Sequence, residues 1–348
     1  MRVFVIGGTA FIGRETVRLL HERGHDVTLF HRGRTDDGSA EGITHIYGDR
    51  HDAEELRRAA VASRPEVVLD MIAMAESEAR TTVAAARGVA RRLVVASSID
   101  VYRAYGRLHG SEPGSPDPMP LTEDSPVREA PSPDQRLRPR PAGATGPDDR
   151  DKILVERLLM ASADLPATVL RLPAVYGARD PQHRTAMFLH RMDAGRPVIP
   201  LPAAMAPWHW SRGYVTNVAH ALALAVTDDR AAGRTYNVTE PEALAMADWV
   251  RAVGEAAGWR GEVVTMDGEA AGELYGGAFA GLDWRQQWIA DSTRVRAELG
   301  YAEIVPPEQG LAHAVAWERG QPVDERTVGH YDYAAEDALL ARASVQPV

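Results

Sequence analysis

The sequence predicts a doubly wound α/β protein, a parallel sheet covered by helices on both faces, with a smaller C-terminal α/β lobe. Three observations carry this expectation. Short apolar runs alternate with amphipathic segments through the first half of the chain, glycines stand where strands turn into helices, and 348 residues suffice for one large domain plus an appended lobe.

The first run, RVFVI (2–6), reads as a buried strand. It leads through GGTAFIG (7–13) into RETVRLLHERG, whose apolar residues recur at helical spacing. DVTLF (26–30) and THIYGD (44–49) are the next strands, followed by the helical DAEELRRAAVASR. Then come VVLDMIA (67–73), a helix through Val89, and RLVVASS (92–98). The interval 106–147 is rich in Pro, Gly, Ser and Asp. It reads either as a disordered insertion or as an active-site loop, ordered by itself or by a ligand, and the second is expected.

From Asp151 the helix DKILVERLLMAS leads to ATVLRL (167–172), expected to close the main sheet. Beyond Gly177 the pattern is mixed: a helix near 184–194, a Pro-rich turn, WHWSRGYV, the helix VAHALALAV, the short strand RTYNV, and the helices EALAMADWVRAVGEAAG and STRVRAELG. The expected division is a main domain over 1–177, a lobe over 178–320 with segments that return to the main domain, and a C-terminal arm over 321–348. No internal repeat is evident.

A formal charge of −10 argues against nucleic acid as a partner, because phosphate binding needs a basic surface. Cysteine is absent, which excludes disulfides, thiol nucleophiles and thiolate metal sites. MRVFVIGG runs straight into a strand, leaving no room for a signal peptide, and no uncharged run reaches membrane-spanning length. A cytoplasmic protein is expected. Twelve histidines show no HExxH-type spacing, so no metal is expected, and no GxSxG elbow supports a hydrolase. Among 39 lysines and arginines, Lys152 is the only lysine. A chain that otherwise uses arginine for positive charge keeps a lysine where a compact, pKa-tunable ammonium is needed, unless it is a chance survivor on a helix surface.

GGTAFIG, between a strand and a helix, has the form of a phosphate-cradling turn. Gly7 permits the tight bend, Gly13 lets the helix pack close, and the turn from Thr9 to Phe11 and Ile12 presents backbone N–H groups to a pyrophosphate. Dinucleotide binding of the Rossmann type is therefore expected. At the end of the second strand, where an acidic residue holds the ribose of NAD, stand His31 and Arg32 with Arg34 behind. These cations favour NADP over NAD, the alternative being a solvated basic turn. Asp49 and Arg50 are placed to border the adenine, and Ala73, closing VVLDMIA, to lie beside the cofactor.

Taken together, GGTAFIG (7–13), GDRHD (48–52), VVASSIDVY (94–102), DKILVER (151–157), VLRLPAVYG (169–177), SRGYVTNVAHALA (211–223) and ADSTRVRAELGY (290–301) resemble the extended and atypical short-chain dehydrogenase/reductases, the NAD-dependent epimerase/dehydratases. The resemblance covers roughly residues 1–320. It implies hydride transfer to and from a nicotinamide cofactor on a hydroxyl-bearing small molecule such as a nucleotide sugar, by an epimerase, dehydratase or reductase, and a homodimer. It also implies a Ser that bonds the reacting oxygen at Ser98, a Lys that binds the nicotinamide ribose at Lys152, and cofactor contacts at Pro173 and Val175.

The family's catalytic Tyr position, four residues before the Lys, is occupied by Asp148. Three readings stay open. Tyr102 or Tyr105 takes the role, or Asp148 acts as a base or orients Lys152, or the site is silent and only cofactor binding survives. The last reading describes a non-catalytic sensor or an RNA-associated atypical member. Arg212 matches a family arginine that contacts a substrate diphosphate, and Arg179, His183, Arg184 and Arg285 are candidates for the same pocket, or else surface ion pairs. Trp208 and Trp210 either stack on a substrate ring or pack a loop.

Overall fold

The computed structural model describes residues 1–34, 42–133, 149–266, 275, 281–322, 332–342 and 346–348. In chain order its first half contains β1 (Arg2–Ile6), α1 (Phe11–Glu22), β2 (Asp26–His31), β3 (Thr44–Tyr47), α2 (Ala53–Ser63), β4 (Val67–Asp70), α3 (Glu76–Ala86), β5 (Arg92–Ser98) and α4 (Arg103–Leu108). After these come α5 (Lys152–Met160), β6 (Ala167–Leu172), β7 (Ala174–Tyr176), α6 (Ala186–Asp193), β8 (Val198–Pro202), β9 (Arg212–Tyr214), α7 (Val215–Thr227), β10 (Thr235–Asn237), α8 (Met246–Ala257) and β11 (Glu262–Met266). The C-terminal elements are α9 (Thr293–Leu299), α10 (Pro307–Arg319), α11 (Tyr333–Arg342) and β12 (Gln346–Pro347).

Seven strands form one parallel sheet in the order β10-β6-β5-β4-β1-β2-β3. Successive residues of its strands enter two different cores, as a sheet buried on both faces requires. Val3, Val5, Leu29, Leu69, Val94 and Leu170 join one, packed with Val17 and Leu20 of α1 and Val218 and Leu222 of α7. Phe4, Ile6, Phe30, Val68, Val95 and Val169 join the other, packed with Leu56 of α2, Val83 of α3 and Val155 of α5. Strand order reverses between β1 and β4, and a crevice opens there at the strand C-termini.

Two expectations need correction. ATVLRL does not close the sheet: the RTYNV segment supplies β10, which pairs in parallel with β6 and covers its outer edge. The Pro-rich stretch after α6 is not a turn but β8, which pairs with β11 in a three-stranded sheet. Pro200 and Pro202 are tolerated because β8 is an edge strand, while Ile199 and Leu201 between them are wholly buried. Elsewhere the strands end sooner than their apolar runs. VVLDMIA stops at Asp70, whose carboxylate turns back to accept the amides of Ile72 and Ala73, each at 3.0 Å.

Residues 109–133 are tied down. Val127 bridges to Tyr102, Leu121 to Ala290, and Asp117 accepts from Arg107 at 2.9 Å. Arg128 and Asp151, both buried, form a two-bond ion pair at 2.9 and 3.1 Å. Residues 134–148, including Asp148, lie outside the described residues. At the C-terminus, buried Glu336 of α11 accepts from Arg191 at 2.9 Å and Arg196 at 3.3 Å. Among the described residues, no helix is long and apolar enough to cross a membrane.

Candidate active site

The crevice is a cleft of about 870 Å³ that begins at the turn between β1 and α1. Gly7 and Gly8 both have φ of +91°, and a Cβ on Gly7 would fall 2.9 Å from the Ile72 side chain. A Cβ on Gly13 would fall 2.8 Å from the Gly8 Cα, so only glycine lets α1 start this close to the turn. Ala10, the residue preceding α1, has no side chain to cap the helix, and no acidic residue stands in the first turn. The positive end of the helix is left facing a cleft wall formed by residues 7–13, a surface suited to an anion.

Lys152, the first residue of α5, lines the same cleft. Asp151 caps that helix by accepting the Ile153 amide at 3.0 Å, and its pairing with Arg128 fixes where the helix begins. The Lys152 ammonium donates to the Ala73 carbonyl at 2.6 Å and the Ala96 carbonyl at 2.7 Å, stitching the ends of β4 and β5 together beneath the cleft. Burial pulls its pKa down to about 8, against the pull of Asp70, Glu78 and Glu156. An ammonium with two of three donors engaged keeps one for a ligand hydroxyl.

A buried ion pair holds the Ala73 side of this arrangement. Arg50 donates to Asp70 through both terminal nitrogens, at 2.9 and 3.0 Å, and to the Glu78 carbonyl at 3.0 Å. Thr82 donates to the same carboxylate at 2.6 Å. Burial alone would raise the Asp70 carboxyl, but the Arg50 guanidinium and these hydrogen bonds hold it below the usual carboxylate value.

Ser98 ends β5 two residues after Ala96, on the same side of the strand, and lines the cleft. Its hydroxyl oxygen accepts the Asp100 amide at 3.2 Å. Tyr105 lines the cleft from α4, and Leu172, Pro173, Ala174 and Val175 form the wall beyond β6. Arg32 and Arg34 are exposed at the opposite end, beside Asp49.

The glycine cradle and the half-buried Lys152 side chain line one cleft at the switch point of a seven-stranded sheet. The model of the NAD dependent epimerase/dehydratase family matches residues 3–239. The chain belongs to this family. A stem-loop binding protein of 41 kDa from Arabidopsis thaliana chloroplasts is 24% identical over 99% of this chain and 85% of its own length. Among solved structures, UDP-glucose 4-epimerase from Thermotoga maritima with UDP-glucose aligns at a TM-score of 0.67 and 20% identity, covering 92% of this chain and 99% of that one. UDP-glucose 4-epimerase from Thermus thermophilus in complex with NAD aligns at 0.64 and 24%, covering 92% and 100%.

For an epimerase/dehydratase, several residues expected at the site lie elsewhere. Tyr102 is fully buried and does not line the cleft. Its hydroxyl donates to Asn237 at 2.7 Å, Arg171 lies 4.7 Å from the centre of its ring, and burial pushes its pKa up to about 12. It is a packing residue. Ala73 does not line the cleft either, serving instead as an acceptor for Lys152. Arg50 borders the cleft, but Asp70 and Thr82 hold its guanidinium.

Of the residues expected to meet a substrate phosphate, Arg179, His183, Arg212 and Arg285 all lie away from the cleft lining. Arg212 is buried against Trp249, with its guanidinium 4.3 Å from the ring centre, and burial lowers its pKa to about 9. His183 pairs with Glu318 at 2.6 Å, and exposed Arg285 pairs with Asp283 at 2.6 Å. Arg179 is exposed in a left-handed conformation, φ +68°, on the bend after β7. Of that group only Arg184 reaches the cleft, where one terminal nitrogen donates to Asp180 at 2.7 Å and the Val175 carbonyl at 2.8 Å while its Nε is buried without a partner.

Residues not singled out from sequence complete the walls of this epimerase/dehydratase cleft: Ile72, Met74, Glu78, His109, Gln182 and Trp288. Ile72 and Met74 are 44% and 49% exposed, an apolar surface beside Arg50 of the kind an adenine ring covers. Trp208 and Trp210 do line the cleft, and Trp288 joins them from a segment about 80 residues later. Among the described residues, no cluster of His, Asp or Glu could hold a metal ion.

Proposed function

We propose that this protein is an NAD(P)-dependent oxidoreductase of the epimerase/dehydratase family, acting on an alcohol or carbonyl carbon of a hydroxyl-bearing small molecule. The observation that carries the reading is Lys152, held by the Ala73 and Ala96 carbonyls and lining the same cleft as the glycine cradle. Gly7, Gly8 and Gly13 leave room for a diphosphate against α1, and Lys152 holds a ribose hydroxyl of the same molecule. The bound nicotinamide supplies or accepts hydride. Ser98 bonds the substrate oxygen, and Tyr105 is the candidate to hold or release the proton there. Asp148, at the family's tyrosine position, is the alternative base.

The test is absorbance of reduced nicotinamide with protein, either cofactor, and a panel of alcohols, ketones and sugar nucleotides. Turnover with one cofactor is the expected result. A flat trace with every combination would favour the second reading, a non-catalytic dinucleotide-binding protein, to which the likeness to the chloroplast stem-loop binding protein lends weight. The net charge of −10 weighs against RNA in that reading.

NADP is the proposed cofactor form. Arg32 and Arg34 are exposed where β2 ends, and neither is ion-paired to a carboxylate among the described residues. His31 is turned instead to His45, 2.8 Å away. Replacing both arginines with alanine should weaken NADPH binding by about 10- to 100-fold, the worth of charge-assisted bonds to a phosphate, and leave NADH binding within about twofold. Equal losses for both cofactors would place these arginines in a general role. The nucleotide-sugar expectation draws its support from the likeness to UDP-glucose epimerases and other nucleotide-sugar enzymes, since Arg179, His183, Arg212 and Arg285 do not line the cleft.

A further inference from the structure

Among the described residues, the substrate end of the cleft is built mainly from aromatic rings. Trp210 and Trp288 stack with centroids 5.6 Å apart and planes 6° from parallel, and Tyr105 stacks on Trp288 at 4.9 Å. Trp208 is tilted against Trp210 at 5.6 Å, and Leu108 and Leu282 fill the flanks. The ladder is held by backbone pairing. Trp288 N–H donates to the His209 carbonyl at 3.0 Å, and Ser211 N–H to the Trp288 carbonyl at 2.9 Å. These bonds fix Trp210 and Trp288 as a cross-strand pair.

Two features say what this wall is for. The indole N–H groups of Trp210 and Trp288 are buried without a hydrogen-bond acceptor among the described residues, whereas Trp208 donates to the Gln286 carbonyl at 2.8 Å. Unpartnered buried donors are uncommon, and two neighbours at a cleft wall point to an acceptor supplied from outside the fold. The second feature is charge. Beyond Lys152, Arg184 is the one arginine lining this end among the described residues, and Asp180 neutralises it. Among the described residues this end therefore offers an anion only Lys152 and one carboxylate-paired arginine, against four aromatic rings.

Resting on the reading of this cleft as the cofactor and substrate site, we propose that its substrate is an uncharged aromatic ring carrying a carbonyl or hydroxyl oxygen. The ring packs against the positive edges of the tryptophan ladder. Both indole nitrogens are covered in the ligand-free fold, so one ring must turn within the wall for its N–H to reach the substrate oxygen.

The experiment is calorimetry and tryptophan fluorescence on the full chain with NADP⁺ present, using 2-acetonaphthone as the neutral probe and UDP-glucose as the charged one. Saturable heat and quenching with 2-acetonaphthone but not with UDP-glucose is the expected result, and Trp288→Leu should weaken that binding about tenfold with NADPH affinity unchanged. Because the comparison of probes uses the unaltered protein, it stands even where a tryptophan variant fails to fold. Saturation by UDP-glucose, or NADPH binding without any response to 2-acetonaphthone, overturns the substrate assignment alone. Absence of NADPH binding overturns the reading it rests on.

Discussion

Lys152→Met should lower kcat/KM by about 10²- to 10⁴-fold, the range expected when a group that supports proton transfer and positions the cofactor is removed. Methionine keeps length and flexibility but cannot donate to the Ala73 and Ala96 carbonyls or to a ribose hydroxyl. Lys152→Arg should recover little, because a planar fork does not fit where the ammonium meets the Ala73 and Ala96 carbonyls. Stability carries a separate signature. The folded ammonium loses its proton near pH 8, the free side chain about two units higher, so between these values the unfolded chain binds more protons. The penalty for burying the charge is therefore full at pH 7 and fades as pH rises to about 10. Melting temperatures of wild type and Lys152→Met, compared from pH 7 to 10, should shift in favour of wild type across that window. A constant difference would mean that the ammonium titrates normally.

Arg50→Ala should destabilise the fold by about 3–5 kcal/mol, the cost of leaving one partner of a buried ion pair alone. Arg50 and Asp70 are 6% and 2% exposed, so solvent cannot replace the lost guanidinium. The effect should reach the site as well. Asp70 shapes the backbone through the amides of Ile72 and Ala73, and the Ala73 carbonyl is the Lys152 acceptor. Since the folded carboxyl sits below its ordinary value, the pair's contribution is complete above about pH 4 and is lost as pH falls through the folded value. Urea unfolding at pH 7 should show the full deficit, and the gap between variant and wild type should narrow in acid. A variant as stable as wild type at pH 7 would mean the pair is dispensable.

Much of this was legible in the sequence, and the reasons differ by element. The central strands read clearly because a sheet buried on both faces needs unbroken apolar runs such as RVFVI and RLVVASS. The glycine turn read clearly because its backbone demands are local. Lys152 stood out twice, as the only lysine and as the match to the family motif. What misled was direction. Arg179, His183, Arg212 and Arg285 lie near the right segments, but sequence does not say whether a guanidinium points to a cleft or to a carboxylate such as Asp283. Trp288 went unnoticed because its partner Trp210 is 78 positions away, joined to it only by tertiary strand pairing. Pro200 and Pro202 hid β8, since proline opposes a strand except at an edge and edges are set by topology. Tyr102 and Tyr105, alike on paper, are separated only by which one the α4 turn delivers to the cleft.

Titration calorimetry of wild-type protein with NADPH and NADH, repeated with Lys152→Ala, addresses the cradle and the ammonium together. Saturable binding of at least one cofactor, tighter for NADPH and weakened in the variant, is what the geometry requires. Silence with both cofactors at millimolar concentration, or an unchanged affinity without the ammonium, would contradict it.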